Sequence, residues 1–349
     1  MSRPALLSAR QLSIGYRQGS SEKRVHENLT FDLFEGELTC LLGPNGAGKS
    51  TLLRTLAAAQ PALLGSIQLR GRAINSYTER ELSRIVGVVL TDKTFAGGLS
   101  VYELVALGRQ PHTGFFGRLS AQDHKKIEES LEAVGIAHKA QNFTAELSDG
   151  ERQKVMIAKA LAQECPLILL DEPTAFLDVV SRIETMSLLH RLATEKKISI
   201  LLSTHDIEQA LVLSDRLWLL SSTNGLQQGV TEDLILDGSL ERLFERDSIH
   251  FDPLHGSYYP AVNHHREIHV SAADETLLHW TINALNRNGY NARISTGKEE
   301  PQQPQIVVKD ATHIQIDTPT GILTLHSFAE LTDYIRPVSY THLRAHETA

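Results

Sequence analysis

An α/β fold with a doubly covered parallel sheet, followed by a small α+β domain, is what this sequence predicts, on three observations. From Ala5 to about Leu220, short apolar runs alternate with longer amphipathic stretches, the pattern of strands joined by crossover helices. The runs Leu38 to Leu42, Leu167 to Leu170, Ile198 to Ser203 and Arg216 to Leu220 are mostly apolar, as strands buried on both faces are. A glycine-rich loop stands between the first of these runs and a helix candidate.

Taken in order, Leu6 to Tyr16 and Val25 to Leu33 read as antiparallel strands, with Ser66 to Leu69 as another, and together they predict a β subdomain. A mostly helical insertion follows, about residues 92–165. Inside it Ser120, with Asp123 three residues later, marks a helix start. Residues 1–243 therefore read as one large domain. Residues 244–266, rich in His, Pro, Gly and Tyr, resemble a connector more than a core. Residues 267–337 show a second pattern: a strand, a helix from Asp274 to Arg287, a stop at Asn288 and Gly289, and strands near Ile294, Val307 and Ile316. A last helix starts at Ser327, with Glu330 in capping position. The tail 338–349 shows no periodicity and is expected to be unstructured.

Composition narrows the function classes. With 349 residues, 41% of them hydrophobic, the chain can supply ordinary buried cores. A formal net charge of -8 argues against a general affinity for nucleic acid. No stretch approaches the roughly 20 apolar residues that span a bilayer. The opening MSRPALLSAR also lacks the apolar core of a secretory signal, so a cytoplasmic location is expected. Cys40 and Cys165 lie in apolar runs and read as buried thiols rather than a disulfide pair.

Two motifs carry chemistry. Gly43-Pro44-Asn45-Gly46-Ala47-Gly48-Lys49-Ser50-Thr51 fits G-x-x-x-x-G-K-[ST] in the strand-loop-helix context that this pattern requires. Glycines let backbone N–H groups close around phosphates, Lys49 adds a point charge, and the Ser50 hydroxyl is placed to ligate Mg²⁺. The run Leu167 to Leu170 then ends in Asp171-Glu172, at the sheet edge where parallel sheets keep their ligand crevice. There Asp171 suits the metal and Glu172 suits orienting or deprotonating an attacking water. A strand ending in Asp-Glu is also the pattern of a solvated loop start.

In this order along the chain, GPNGAGKST, LSDGE, LILLDEP, AFLD and STHD resemble the nucleotide-binding subunits of ATP-binding-cassette transporters, over about residues 5 to 240. The resemblance implies an ABC-type P-loop ATPase core with ATP and Mg²⁺ as cofactors. It implies that Tyr16 stacks on adenine, that Ser148 and Gly150 of the signature segment address ATP held by a second subunit, and that His205 senses the γ-phosphate. It also implies that Asp178 communicates across a head-to-tail dimer. Ser148 with Glu151 reads equally as a plain capping box, and both readings hold together. Three positions depart from the family pattern. Asp149 replaces a glycine, Glu151 replaces a glutamine, and Thr91 stands where a glutamine normally touches Mg²⁺ and water.

The segment Val101 to His112 and the following GFFGRLSAQD resemble the helical region of importers for iron-siderophore complexes, haem or vitamin B12. That likeness implies an integral-membrane permease as partner, docked around Gly97, Gly98, Phe115 and Phe116, and indirectly a substrate-binding protein. The same aromatics also suit a helix-packing cluster. Two rival classes remain at this point. One is an ABC ATPase acting on DNA, although Thr51 to Leu147 is too short for a coiled coil and lacks heptads. The other is an ATP-gated regulatory or scaffold protein, motivated by Thr91 and Asp149.

Overall fold

The computed structural model describes residues 4–18, 21–90, 98–114, 116–244, 249–260, 266–295, 305–318 and 321–336. Thr91, Gly97, Phe115 and the tail 338–349 lie outside them. The chain divides into two compact units, Met1–Tyr259 and Pro260–Ala349.

In the first unit, a six-stranded sheet has the order Gly225–Gly229, Arg216–Ser221, Leu38–Leu42, Ser199–Ser203, Leu167–Asp171, Val86–Val89. The last five strands pair in parallel and Gly225–Gly229 adds an antiparallel edge. Leu38–Leu42, Leu167–Asp171 and Ser199–Ser203 are buried at every position, as their composition predicts. Side chains pack on both faces of this sheet. Cys40, Leu42, Leu170, Ile200 and Leu202 belong to one core; Leu41, Leu169, Leu201 and Trp218 belong to a second. Each fully buried Leu contributes about 1.5–3 kcal/mol relative to exposure. The alternation between the two cores is the period-2 geometry of strands.

The second core is completed by an antiparallel sheet, Ser21–Phe34, Ala5–Gln18, Leu64–Leu69 and Arg72–Ala73 in spatial order. Phe31 from this sheet meets Trp218 with ring centroids 4.6 Å apart. Both cysteines are buried, and desolvation pushes each thiol up to about 12, so neither is reactive at neutral pH.

The helical insertion contains the expected capped helix Ala121–Ala133, with Ser120 and Asp123 satisfying each other's backbone N–H groups. A second complete capping box, Ser148 with Glu151, opens Asp149–Ala162. Glu151 also pairs with Lys139 at 2.5 Å, and the Lys139 bond is the largest cause holding its carboxyl at about 2. Asp123 is likewise held at about 2, chiefly by its Ser120 bonds. Because both folded values lie below the unfolded ones, their stabilisation is complete above about pH 4.5 and is lost as pH falls toward 2. Urea midpoints are therefore expected to fall steadily between about pH 4.5 and pH 2, and Lys139→Gln should shrink that dependence. An unchanged pH profile in this variant would remove Lys139 as the cause.

Residues 244–266, expected as a connector, differ. Ile249–Asp252 and Ser257–Pro260 pair as a hairpin, and Phe251 is buried in the first unit's core. Tyr258 packs against the same core, with Phe251 at 4.8 Å and Phe244 at 5.1 Å between ring centroids, and its hydroxyl donates to the Leu240 carbonyl. The aromatics in this His- and Gly-rich stretch fix it in place, although its composition suggests a loop.

The second unit is a five-stranded sheet, ordered Tyr290–Ile294, Arg266–Ala272, Gln305–Asp310, His313–Thr318, Gly321–Leu325. Its first three strands run parallel and the remaining pairings are antiparallel. Helices Glu275–Arg287 and Phe328–Ile335 supply Leu285, Leu331 and Ile335 to a core with Val270, Ile306 and Ile314. Asp274 and Ser327 cap the two helices. Glu330 reaches the backbone N–H of His326 rather than that of Ser327, so the second box is displaced by one residue.

Candidate nucleotide-binding and catalytic site

The buried strand Leu38–Leu42 leads into Gly43, and the helix Lys49–Leu56 begins seven residues after Leu42. The intervening loop can turn this tightly because Gly46 and Gly48 have φ of 79° and 90°. A Cβ at Gly48 would lie 2.6 Å from the Val25 side chain, so no larger residue fits. His26 is buried beside the loop, 2.6 Å from the Ala47 carbonyl. A carbonyl only accepts, so Nε2 carries the proton there and pins the loop.

Lys49 is 6% exposed and donates from Nζ to Gly43 O at 2.7 Å. Burial lowers its pKa below the usual lysine value, with Glu172 and Asp171 opposing that shift. Ser50 donates from Oγ to Asp171 Oδ1 at 3.1 Å, which places a hydroxyl and a carboxylate side by side across two elements. Ser203 donates to the same oxygen at 2.7 Å. These hard oxygen donors fit Mg²⁺, which takes few protein ligands and completes its octahedron with phosphates and water. Among the described residues no cluster of three or more His, Cys, Asp or Glu forms an all-protein metal cage.

Glu172 sits at φ 49°, a left-handed conformation that costs a non-glycine residue on the order of 1–3 kcal/mol. Its N–H donates to both Ser203 O and Ser203 Oγ, at 3.1 and 2.9 Å, and this fork holds the strained turn. The carboxylate accepts from His205, with Nε2 to Oε1 2.9 Å; Lys49 Nζ lies 3.4 Å from the same ring nitrogen. A carboxylate only accepts, so Nε2 carries its proton toward Glu172, and the Lys49 ammonium, itself only a donor, lies beside that nitrogen without accepting from it. Lys49, Ser50, Asp171, Glu172 and His205 therefore form one contiguous cluster, drawn from three segments at the C-terminal edge of the parallel strands. That is where an open α/β sheet binds ligands.

The remaining expected site residues are placed less directly. Tyr16 is half-exposed and its hydroxyl lies 2.5 Å from Thr51 Oγ1, so the ring stands beside the phosphate loop. Ser148 bonds within its own helix end, and Asp149 pairs with Arg152 at 2.9 Å. A Cβ at Gly150 would come 2.9 Å from Ser181 Oγ. Asp178 caps Val179–Lys196 through Ser181. Phe116 is 84% exposed, and Gly98 is exposed as well.

Sequence reading missed Ser203, His26 and the link from Asp206 to Thr174 and Arg182, at 2.5 and 2.6 Å. Ser203 ends a strand that the sequence does predict, but its partner Asp171 is set by the parallel register, which the sequence does not show.

Residues 26–175 match the family described as ABC transporter, and residues 265–336 match the family described as iron ABC transporter C-terminal domain. The chain is 37% identical to the ferric enterobactin transport ATP-binding protein FepC of Escherichia coli, over 72% of this chain and 92% of that protein. It is 36% identical to the iron(3+)-hydroxamate import ATP-binding protein FhuC of Bacillus subtilis, over 69% and 88% respectively. Among solved structures it is similar to the dimeric post-hydrolysis ATP-binding cassette MJ0796 bound to ADP and Pi. That match has a TM-score of 0.57 and 26% identity, covering 64% of this chain and 98% of that one. With the phosphate loop, the paired carboxylates and the histidine assembled as above, this chain belongs to the ATP-binding proteins of ABC transporters and is an ATPase of that family.

Proposed function

We propose that the chain is the ATP-hydrolysing subunit of an importer for iron-siderophore or related metal-chelate cargo, such as haem or cobalamin. It works as a head-to-tail pair of identical subunits against a membrane permease, peripheral on the inner face of the membrane. The observation that carries the catalytic part is Glu172 held in a strained turn with His205 at 2.9 Å and Lys49 beside them. The cargo class rests on the printed activities of the FepC and FhuC relatives and on the description of the 265–336 match. No described helix is long and apolar enough to cross a membrane.

In this reading the loop amides and Lys49 hold the β- and γ-phosphates, and Tyr16 offers a ring to adenine. Ser50 and Asp171 would hold Mg²⁺, which would supply charge neutralisation at the transferring phosphoryl group. Glu172 orients the attacking water and accepts its proton, while His205 fixes the carboxylate and contacts the γ-phosphate. Ser148 and the amides at the start of Asp149–Ala162 grip the γ-phosphate of the opposite subunit. Asp178 communicates across the interface of the pair. Hydrolysis removes the group that both subunits hold, and the pair opens.

A mixing experiment tests the shared site. Lys49→Ala and Ser148→Ala chains are each expected to be inactive as homodimers. A mixed dimer, however, has one site built from an intact Lys49 and an intact Ser148. Mixing equal amounts should restore up to about a quarter of wild-type ATPase activity. Two inactive preparations that stay inactive when mixed, although they form mixed dimers, would end the head-to-tail assignment.

A further inference from the structure

Away from the nucleotide cluster, a cavity of about 470 Å³ opens between the catalytic core and the helical insertion. Its wall combines Arg70, from the turn after Leu64–Leu69, Arg84 before Val86–Val89, Lys126 on Ala121–Ala133, and Lys196 and Lys197 at the end of Val179–Lys196. Among the described residues only two carboxylates line the cavity, Glu129 and Glu164, and both are already committed. Glu164 pairs with buried Arg109 at 2.7 Å and with Lys126 at 3.2 Å, and Glu129 pairs with Lys126 at 3.1 Å. Among the described residues Arg70, Arg84, Lys196 and Lys197 pair with no carboxylate.

Four uncompensated cations in one concavity repel each other, and the chain as a whole is acidic, so this surplus is a local feature. Two of them also occupy backbone positions that favour glycine: φ is 51° at Arg70 and 56° at Lys197, the latter closing a helix where glycine is the usual residue. Arg84 is oriented, its Nε and Nη2 donating to Pro111 O at 3.1 and 3.0 Å. The volume suits a small molecule, and guanidinium groups beside ammonium groups suit phosphate oxygens.

We infer that this cavity binds a small soluble phosphate-bearing polyanion, at a site separate from the nucleotide cluster, bridging the catalytic core and the helical insertion. The probe is pyrophosphate, titrated calorimetrically into full-length Lys49→Ala protein so that the phosphate loop is disabled. One-to-one binding is expected. It should weaken at least about tenfold when Arg70, Lys196 and Lys197 are all changed to Gln, since the charge-assisted bonds to phosphate oxygens are then lost. Raising the salt concentration should also weaken it. The exposed triple Lys23→Gln, Arg287→Gln, Lys309→Gln removes the same charge elsewhere and should leave binding unchanged, and thermal melts check that each variant is folded. Absence of binding, binding insensitive to the cavity triple, or equal loss in the control triple would each overturn the inference. Capture by phosphatidylglycerol vesicles with the same dependence on the cavity triple would overturn the soluble assignment.

Discussion

Glu172→Gln is expected to lower ATP turnover by about 10²–10⁴-fold while leaving ATP binding in place. The amide keeps the size of the carboxylate and can still meet His205, but it cannot take a proton from water. The backbone fork from Ser203 that fixes residue 172 does not depend on its side chain, so the fold should survive. If hydrolysis separates the subunits as proposed, Mg-ATP should trap this variant as a dimer, measurable as a doubled mass by light scattering. A variant that hydrolyses at the normal rate, or that stays monomeric under saturating ATP, would contradict the assigned roles.

Arg109→Ala should destabilise the first unit by about 3–5 kcal/mol, the usual range when one member of a buried ion pair is removed. Arg109 is 3% exposed and donates to Asp123 at 2.8 Å, to the Ala162 carbonyl at 2.7 Å and to Glu164 at 2.7 Å. The loss is asymmetric. Truncation leaves the 7%-exposed Asp123 without its guanidinium and the Ala162 carbonyl without its donor. Arg109→Met should not recover the loss, since it fills volume but pairs nothing, whereas Arg109→Met with Asp123→Asn should recover part. Denaturant midpoints on the single and double variants check this; a single-variant loss below about 1 kcal/mol would mean that water replaces the guanidinium.

The two motifs were legible because they are local. Gly43 to Thr51 is nine consecutive residues, and Asp171 and Glu172 are adjacent at the end of an apolar strand. What joins them is not local. Ser50 meets Asp171 across 121 residues and His205 meets Glu172 across 33, so their adjacency follows only from parallel pairing of the strands that carry them. The Arg109 network was invisible for the same reason, with Glu164 55 residues away in a region whose helical pattern gives no sign of a buried charge. Capping boxes at Ser120 and Ser148 were readable because the chemistry closes within four residues. Residues 249–260 were misjudged because polar and glycine content outweighed the few aromatics that fix their position.

That hairpin decides where the polypeptide can be cut. Excising the terminal unit at residue 243 would strip away Phe251 and Tyr258 and leave the side chains beneath them wet, including Phe244 if it is retained. Such a fragment should precipitate for reasons unrelated to what the terminal unit does. A stop codon after Pro260 leaves the aromatic clasp in place, and only a fragment ending there gives a fair measure of what the remaining residues add to transport.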